Sequence, residues 1–291
     1  MTFTALRVSL RRILREAGER TGLPIDDVYE ADEILRHYSG MDRARVLLNG
    51  NTEADGALCS ACLSAAEERK TGEPLAYLLG EVSFFGLDLA VRRGCLIPRA
   101  DTEVLVEEII SRIPENGVLW DLCTGTGCIP CAVLTARPDV SAYGAELFDA
   151  PLAAAEENRV RLGLEARFSV SRCDVLKGEA PSRVPPSVIS ANPPYIASSV
   201  CDLLDVQVKK EPVSALDGGE DGLLFYRAIL SRYAGYLPEN GDGYFLFEIG
   251  YDQGDALRSL GRAHGFSVSV RRDYAGQDRC AILSRGERFP V

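Results

Sequence analysis

The stretch "VLWDLCTGTGC", residues 118–128, decides the fold. An apolar run ends near Asp121, a glycine-rich segment with Gly125 and Gly127 follows, and an apolar helical pattern then resumes. Where a strand turns tightly into a helix, glycine lets the backbone approach a ligand closely, and the first N–H groups of the helix point at that ligand. The stretch therefore predicts a strand, a turn and a helix that form a nucleotide-type binding site.

Two common nucleotide sites do not match this turn. The dinucleotide fingerprint G-x-G-x-x-G requires glycine where this chain has Pro130, which disfavours NAD. The chain also lacks the phosphate-binding pattern G-x-x-x-x-G-K-[ST], which disfavours ATP.

The pattern D-x-x-T-G-x-G, with the acidic Glu146 at the end of the next predicted strand, resembles the S-adenosylmethionine site of class I methyltransferases. The resemblance implies that the turn packs beside the methionine moiety and that the Glu146 carboxylate accepts hydrogen bonds from the ribose hydroxyls. A glycine turn that binds nothing is the alternative, and the context of strand, turn and helix argues against it. The turn residues expected at the cofactor are Cys123, Thr124, Gly125, Thr126 and Gly127.

A third predicted strand ends in "SRCDVL". From this position we expect Asp174 to accept a hydrogen bond from the exocyclic amine of adenine, and Val175 to pack on the ring. An ordinary loop aspartate is the alternative for Asp174.

Strands and helices alternate beyond residue 115. The predicted strands are "GVLWDL", "SAYGAEL", "ARFSVSRCD", "PSVISAN" and "GYFLFEIG", and "FSVSVRRDYAGQDRCAILSR" is typical of two more. Such alternation predicts a parallel sheet with helices on both faces. The predicted fold is α/β: a Rossmann-like methyltransferase domain with a mostly parallel, seven-stranded sheet whose last strand is antiparallel.

The first part of the chain differs in pattern. Leu6, Leu10, Ile13, Leu14 and Ala17 recur at helical spacing. We predict a small α-helical bundle over 1–75, a β-hairpin linker over 76–95 with alternating apolar residues and glycines, and the methyltransferase domain over 96–291. Asp42 is the predicted N-cap of one helix, and Asp101 or Thr102 that of another.

Composition narrows the function. The net charge of −11 argues against non-specific binding of nucleic acid, which needs a surplus of Lys and Arg. The chain shows no signal peptide and no run of about 20 apolar residues, so we expect a cytoplasmic protein without membrane contact. Only two histidines are present, His37 and His264, and neither has a catalytic context, so histidine acid/base chemistry is not expected.

Nine cysteines require that metal binding be considered. Cys59 and Cys62 have the C-x-x-C spacing, and Cys123, Cys128 and Cys131 match the C-x4-C-x2-C spacing of iron–sulfur ligands. The first pair lies in an alanine-rich helical pattern, and the others lie in the glycine turn and its helix. We therefore expect free thiols and no metal site.

The stretch "VISANPPYIA", residues 188–197, supplies the second chemical motif. A predicted buried strand stops at Asn192, Pro193, Pro194 and Tyr195, at the sheet edge where open α/β sheets bind ligands. The amide and the free backbone carbonyls of a rigid proline turn are acceptors, and the tyrosine ring is a flat wall. Together they fit a planar NH2 group, which can attack a sulfonium methyl when positioned, without a strong base.

Taken together, these motifs resemble the HemK or PrmC family, the protein-(glutamine-N5) methyltransferases of peptide-chain release factors. Further blocks match in the same order, namely "GEPLAYLLGEVSFFGLDLAV", "LIPRADTEVLVE", "EPVSALDGGEDGLLFYRAIL", "FEIGYDQGDAL" and "RDYAGQDR". Three positions depart from the usual pattern: Cys123 replaces Gly, Ala100 replaces Pro and Glu146 replaces Asp.

The resemblance implies that Asn192 borders the cofactor and that Asn192 and the following Pro-Pro-Tyr hold the substrate glutamine. The implied catalytic residues are Asn192, Pro193 and Tyr195. The implied substrate is the glutamine of the Gly-Gly-Gln loop in class 1 release factors, whose body the helical domain recognises. We expect a monomer that does not act on nucleic acid.

The Asn-Pro-Pro-Tyr motif alone does not exclude two other functions. An adenine-N6 methyltransferase of DNA or RNA would present the same planar NH2 group to Asn192. A binding module that holds S-adenosylmethionine or a release factor without turnover is the other alternative. The acidic charge argues against the first, and the intact Asn192, Tyr195 and Glu146 argue against the second.

Overall fold

A computed structural model describes residues 1–238 and 240–286. The chain forms two compact units: Met1–Gly80 with Leu204–Lys210, and Glu81–Leu203 with the chain from Glu211 onwards. No helix in the described ranges is long and apolar enough to cross a membrane.

The first unit is helical, as predicted. Its helices are α1 (Phe3–Thr21), α2 (Asp27–Ser39), α3 (Arg43–Leu48), α4 (Gly56–Arg69) and α5 (Leu75–Leu79). The predicted apolar face of α1 is buried along its whole length, because residues three or four apart lie on the same side of a helix. The predicted cap at Asp42 is confirmed, since its carboxylate accepts a hydrogen bond from the Arg45 N–H at 2.8 Å. Cys59 and Cys62 belong to this apolar core.

The second unit begins with the predicted hairpin, β1 (Glu81–Phe84) and β2 (Leu87–Ala90), whose strands pair antiparallel. Helix α6 (Glu103–Arg112) follows. Thr102, one of the two residues predicted as the N-cap of α6, occupies that position, but its side chain makes no capping hydrogen bond. It ends the 3-10 turn Ala100–Thr102 and already has helical backbone angles, unlike the extended N-cap residue that the prediction assumed. The Thr102 hydroxyl instead accepts a hydrogen bond from Asn192 Nδ2 at 3.4 Å.

Seven strands form the central sheet of this unit. They are β3 (Val118–Leu122), β4 (Ser141–Glu146), β5 (Phe168–Arg172), β6 (Val188–Ala191), β7 (Tyr244–Glu248), β8 (Ser267–Arg272) and β9 (Asp278–Ser284), in the spatial order β5-β4-β3-β6-β7-β9-β8. All neighbouring pairs are parallel except the two that involve β9. This arrangement confirms the predicted fold class.

Helices cover both faces of the sheet. They include α7 (Cys128–Ala136), α8 (Asp149–Arg161), α10 (Leu224–Tyr233) and α11 (Gly254–Ala263), whereas the single turn α9 (Ser198–Cys201) buries none of its residues. Successive strand residues point to opposite faces, so Leu119 and Val188 enter one apolar core while Trp120 and Ile189 enter the other. The chain order reverses between β3 and β6, and ligands bind at the carboxyl edge beside such a reversal.

Asn158 on α8 ties the hairpin to the glycine turn. Its side chain is fully buried. The Oδ1 atom accepts a hydrogen bond from the Ala90 N–H at 2.6 Å, and Nδ2 donates to the carbonyls of Ala90 and Thr126, both at 3.0 Å. One amide therefore satisfies three buried backbone groups of two separate segments.

We expect Asn158→Ala to lower the free energy of unfolding of the second unit by about 2–4 kcal/mol, because buried backbone groups lose their partners. Urea titration followed by the fluorescence of Trp120, the single tryptophan of the chain, measures this unit directly. Val160→Ala, a truncation at an exposed position of the same helix, is the matched control and should change the midpoint little. Equal midpoints for both variants would show that these bonds are not needed.

Candidate active site

A cavity of about 380 Å³ lies at the carboxyl edge of the sheet. The predicted site residues that line it are Cys123, Thr124, Gly125, Thr126, Glu146, Asp174, Val175, Asn192 and Pro194. Three predicted residues, Gly127, Pro193 and Tyr195, are not among the lining residues. The structure thus brings segments from four strand ends to one cavity.

The glycine turn follows β3 directly. Cys123, Gly125 and Gly127 have φ angles of 59°, 58° and 74°, in the left-handed region that favours glycine. A side chain at Gly127 would also approach the Phe168 ring to 3.1 Å, so this position needs glycine for space as well. Cys123 adopts the same region with a side chain, at a cost in strain. The Thr124 N–H donates to the Ala145 carbonyl at 3.0 Å, and this hydrogen bond ties the turn to β4.

Asp121, the last polar residue of β3, lies fully buried under the turn. One carboxylate oxygen accepts a hydrogen bond from the Thr124 hydroxyl and the other from the Ser190 hydroxyl, each at 2.6 Å. Burial raises the pKa of Asp121 to about 7. Ser190 was not predicted as a site residue, although a serine in the otherwise apolar strand "VISA" was a signal for it. Asp121 therefore joins the turn to the strand that carries Asn192.

Glu146 at the end of β4 is buried and uses both of its oxygens. Oε1 accepts from the N–H groups of Leu147 and Phe148 at 2.8 and 3.0 Å, and Oε2 accepts from the Gly125 N–H at 3.0 Å. Burial raises its pKa, while these three amides oppose the rise. A carboxylate has about four acceptor positions, so about one stays free on the cavity side.

An apolar wall continues the cavity beyond Glu146. Leu147 and Phe148 are 40 and 45 % exposed, and buried Val175 and its neighbour Leu176 lie in the same lining. Leu147 and Phe148 were not predicted, although two large apolar residues directly after the acidic strand end were a signal in the sequence. The wall is large enough to cover one face of a planar ring.

Asp174 begins the 3-10 turn Val175–Lys177, and its carboxylate accepts from the Leu176 N–H at 3.0 Å. It also pairs with Lys177 at 3.1 Å, and Lys177 lowers its pKa. Asp174 is therefore an ionised acceptor in the cavity lining at neutral pH.

The segment Asn192–Tyr195 follows β6 and is held on several sides. Asn192 Nδ2 donates to the Thr102 hydroxyl at 3.4 Å, and the Tyr195 hydroxyl donates to Glu248 Oε1 at 3.3 Å. The Tyr195 carbonyl accepts from Gln253 Nε2 at 3.0 Å. These partners come from three other segments of the chain, so the proline turn is fixed before any ligand binds.

A glycine loop packs against this turn. A Cβ atom at Gly222 would lie 2.3 Å from the Tyr195 carbonyl oxygen, and one at Gly218 would lie 2.7 Å from the Pro194 carbonyl oxygen. Only glycine leaves room for so close an approach of two backbones. The motif is supported by Thr102, Glu248, Gln253 and this loop. The sequence of the motif did not predict any of these supporting residues.

The thiols of Cys123 and Cys128 line the cavity. Burial raises the pKa of both, well above the ordinary value for Cys123, so they are neutral at physiological pH. Within residues 1–238 and 240–286, no three His, Cys, Asp or Glu side chains are grouped to hold a metal ion.

The raised pKa of Asp121 predicts a pH-dependent stability. The folded protein binds this proton more tightly than the unfolded chain, whose aspartate has an ordinary pKa of 3.8. The stability that the proton provides is therefore complete below about pH 4 and is lost as the pH rises through about 7. We expect wild-type unfolding free energy to fall, relative to Asp121→Asn, by on the order of a few kcal/mol across that interval. Parallel urea titrations at several pH values measure the difference, and a constant difference would contradict the buried-carboxylate account.

Comparisons with known proteins show the family of the chain. Residues 7–80 match the family model of the PrmC N-terminal domain. The chain is 37 % identical over 288 residues to the release factor glutamine methyltransferase of Moorella thermoacetica, covering 97 % of this chain and 98 % of that protein. It is 35 % identical over 254 residues to the enzyme of the same name from Neisseria gonorrhoeae, covering 87 % and 92 %.

A solved structure of a methyltransferase from Pyrococcus furiosus is 17 % identical, with a TM-score of 0.53, and covers 70 % of this chain and 92 % of its own. This likeness concerns the fold alone. The family and the fold together imply S-adenosylmethionine as the methyl donor, which confirms the predicted cofactor. With relatives this similar over nearly its whole length, the chain belongs to the HemK/PrmC family of release factor glutamine methyltransferases.

Proposed function

We propose that this protein transfers a methyl group from S-adenosylmethionine to the side-chain amide nitrogen, N5, of the glutamine in the Gly-Gly-Gln loop of class 1 release factors. The observation that carries the proposal is the position of Asn192. Its amide lies in the lining of the cavity at the edge of a methyltransferase sheet, with Nδ2 already engaged by Thr102 and Oδ1 left as an acceptor. The full-length relatives bear the name of this activity.

The cavity fits the cofactor in size and in chemistry. Its volume of about 380 Å³ lies in the usual range of small-molecule pockets. Among residues 1–238 and 240–286, no hydrogen-bond partner is found for the buried Thr126 hydroxyl in this lining, as expected of a group that meets a polar ligand atom. We assign the turn from Cys123 to Gly127 to the methionine moiety, and when bound the cofactor supplies an electrophilic sulfonium methyl group.

We assign the nucleoside part of the cofactor to the end of the cavity where Glu146 and Asp174 lie. Glu146 has about one acceptor position left after its three amide bonds, which suits one ribose hydroxyl. Asp174 would accept from the adenine amine, and the ring would pack between Val175 and the exposed side chain of Phe148. Phe148 thus supplies the aromatic face that the sequence lacks directly after Asp174.

Towards the substrate, the residues of the site act by positioning the glutamine amide. An amide nitrogen is a poor nucleophile because its lone pair is delocalised into the carbonyl. Asn192 Oδ1 and the Pro193 carbonyl would accept its two N–H hydrogens, while Pro194 and Tyr195 shape the site. Holding both hydrogens would orient the nitrogen towards the methyl group. As the N–C bond formed, the S–CH3 bond would break with its electron pair left on a neutral sulfur, and the surplus proton of the amide nitrogen would pass to solvent. No histidine is among the described residues that line the cavity, and this route does not need one.

We further propose a cytoplasmic monomer that acts on protein, with the helical domain over residues 1–75 recognising the body of the release factor. Because adenine presents the same planar NH2 group, nucleic acid is the competing substrate. Incubation with radiolabelled S-adenosylmethionine and either purified release factor or nucleic acid separates the two. Label in release factor supports the proposal, label in nucleic acid alone overturns it, and no label in either indicates a binding module.

Asn192→Ala tests the assigned role directly. We expect kcat/KM for release factor methylation to fall by about 100-fold or more, since an acceptor aimed at the reacting group is lost. The Kd for S-adenosylmethionine, measured by calorimetry, should stay within about threefold, because most cofactor contacts are elsewhere.

Asn240→Ala, an exposed truncation in the loop before β7 at the amino edge of the sheet, is the matched control and should keep wild-type activity. If Asn192→Ala loses cofactor affinity and keeps turnover, Asn192 is a cofactor ligand and the assignment is wrong.

A further inference from the structure

We propose that Glu211 neutralises Arg99, so that the cavity prefers the cationic sulfonium of S-adenosylmethionine to the neutral sulfur of its product, S-adenosylhomocysteine. The inference deepens the proposed function and rests on it only for the cofactor, since the identity of the methyl acceptor does not enter the argument. Glu211 is not among the residues that line the cavity, and it acts through Arg99, which is one of them.

The cofactor changes its charge during the reaction. When the methyl group is transferred, the S–CH3 bond breaks and its electron pair stays on sulfur, so a cation becomes a neutral thioether. The methionine and nucleoside parts are the same before and after the transfer. The electrostatic potential of the cavity therefore distinguishes the cofactor from its product at the sulfur atom.

The charged side chains of the lining do not balance one another. Among the described residues they are Arg99, Glu146, Asp174 and Asp217. Asp174 pairs with Lys177 at 3.1 Å, whereas no Lys or Arg in the described ranges forms an ion pair with Glu146 or Asp217. Backbone N–H groups donate to both of these carboxylates, and such donors favour the ionised form. The lining is therefore negative as long as Arg99 is neutralised.

Glu211 is fixed beside Arg99 from two directions. Its side chain is fully buried, whereas the side chain of Arg99 is 36 % exposed. Oε1 accepts a hydrogen bond from Arg99 Nη2, and Oε2 accepts from the Ile97 N–H at 2.9 Å. Burial raises the pKa of Glu211, while Arg99 and the Ile97 N–H oppose the rise. A buried carboxylate is costly without a partner, so the guanidinium is held where it satisfies Glu211.

Glu211→Gln keeps the size of this side chain and removes its charge. Arg99 then carries an unbalanced positive charge in the cavity lining. That charge repels the sulfonium cation and has no such effect on the neutral thioether. Any contact of Arg99 with the carboxylate of the methionine moiety is common to both ligands, so it cancels in the ratio of their dissociation constants.

A purely structural role is the competing explanation. Glu211 joins the segment 97–99 to the chain that enters the 3-10 turn Val213–Ala215, and both segments contribute to the cavity lining. Loss of this connection would disturb the cavity and weaken both ligands by a similar factor. The two explanations therefore differ in whether the preference between the ligands changes.

The experiment is calorimetric titration of both ligands into wild type, Glu211→Gln and the double variant Arg99→Gln/Glu211→Gln. The quantity compared is the Kd for S-adenosylhomocysteine divided by the Kd for S-adenosylmethionine. In Glu211→Gln we expect this ratio to fall by about threefold or more, because a positive charge near the sulfonium is no longer balanced. The double variant has a neutral pair again and should return to within about twofold of the wild-type ratio.

Glu165→Gln, the same substitution at an exposed position of the same unit, is the matched control and should leave the ratio unchanged. An unchanged ratio in Glu211→Gln, with both ligands weakened equally, would overturn the proposal in favour of a structural role. A double variant that keeps the lowered ratio would also overturn it, because the effect would then not depend on Arg99.

If Glu211→Gln does not fold, Arg99→Gln decides. Removal of a cation from the lining should leave the ratio at or above its wild-type value, since it removes a repulsion of the sulfonium. A ratio below the wild-type value would contradict the proposed charge balance.

The measurement does not need a methyl acceptor. Both ligands are titrated without release factor, so a protein that failed to methylate release factor would still give the ratio. Wild-type protein that bound neither ligand would overturn the assigned cofactor and this inference together. Normal binding with an unchanged ratio in Glu211→Gln would overturn the charge balance alone.

Discussion

The buried carboxylate of Asp121 is the interaction on which the site depends. It accepts from Thr124 in the glycine turn and from Ser190 on β6, so it spans the point where the strand order reverses. Besides this bridge, the backbone ladder between β3 and β6 joins the glycine turn to the strand that leads to Asn192. Two hydrogen bonds of 2.6 Å thus hold the glycine turn beside the strand that leads to Asn192.

Other strands also carry a buried carboxylate at this edge of the sheet. Strands β4 and β7 also end in buried carboxylates, Glu146 and Glu248, and burial raises the pKa of each. Backbone amides, hydroxyls and Arg279 offset the cost of the charge. Of these carboxylates, Glu146 lies in the cavity lining, where a fixed negative group favours a cationic ligand such as a sulfonium centre. Side chains placed on strand ends are also more rigid than side chains on loops.

The sequence predicted those features of the structure that depend on residues close together in the chain. The helical face of α1 and the alternating strands follow from periodicity, and the turn after Asp121 follows from its glycines. The supporting groups were beyond prediction because they are distant in the chain: Thr102 is 90 residues from Asn192, and Glu248 is 53 from Tyr195. The missing capping bond of Thr102 has the same origin. A local rule assigned its hydroxyl to the next helix, while in the tertiary structure that hydroxyl accepts a hydrogen bond from Asn192.

The choice between protein and nucleic acid must come from outside the acceptor pair, since Asn192 and the Pro193 carbonyl would read only the NH2 group. Among the described residues that line the cavity, Arg99 is the one basic side chain, and it pairs with the buried Glu211. Val213 and Leu224 in the same lining are 60 and 44 % exposed. A rim of exposed aliphatic groups with its single cation neutralised offers little to phosphates, whose binding depends on unpaired Lys and Arg. It does suit the uncharged backbone of a glycine-rich peptide that carries a glutamine into the site.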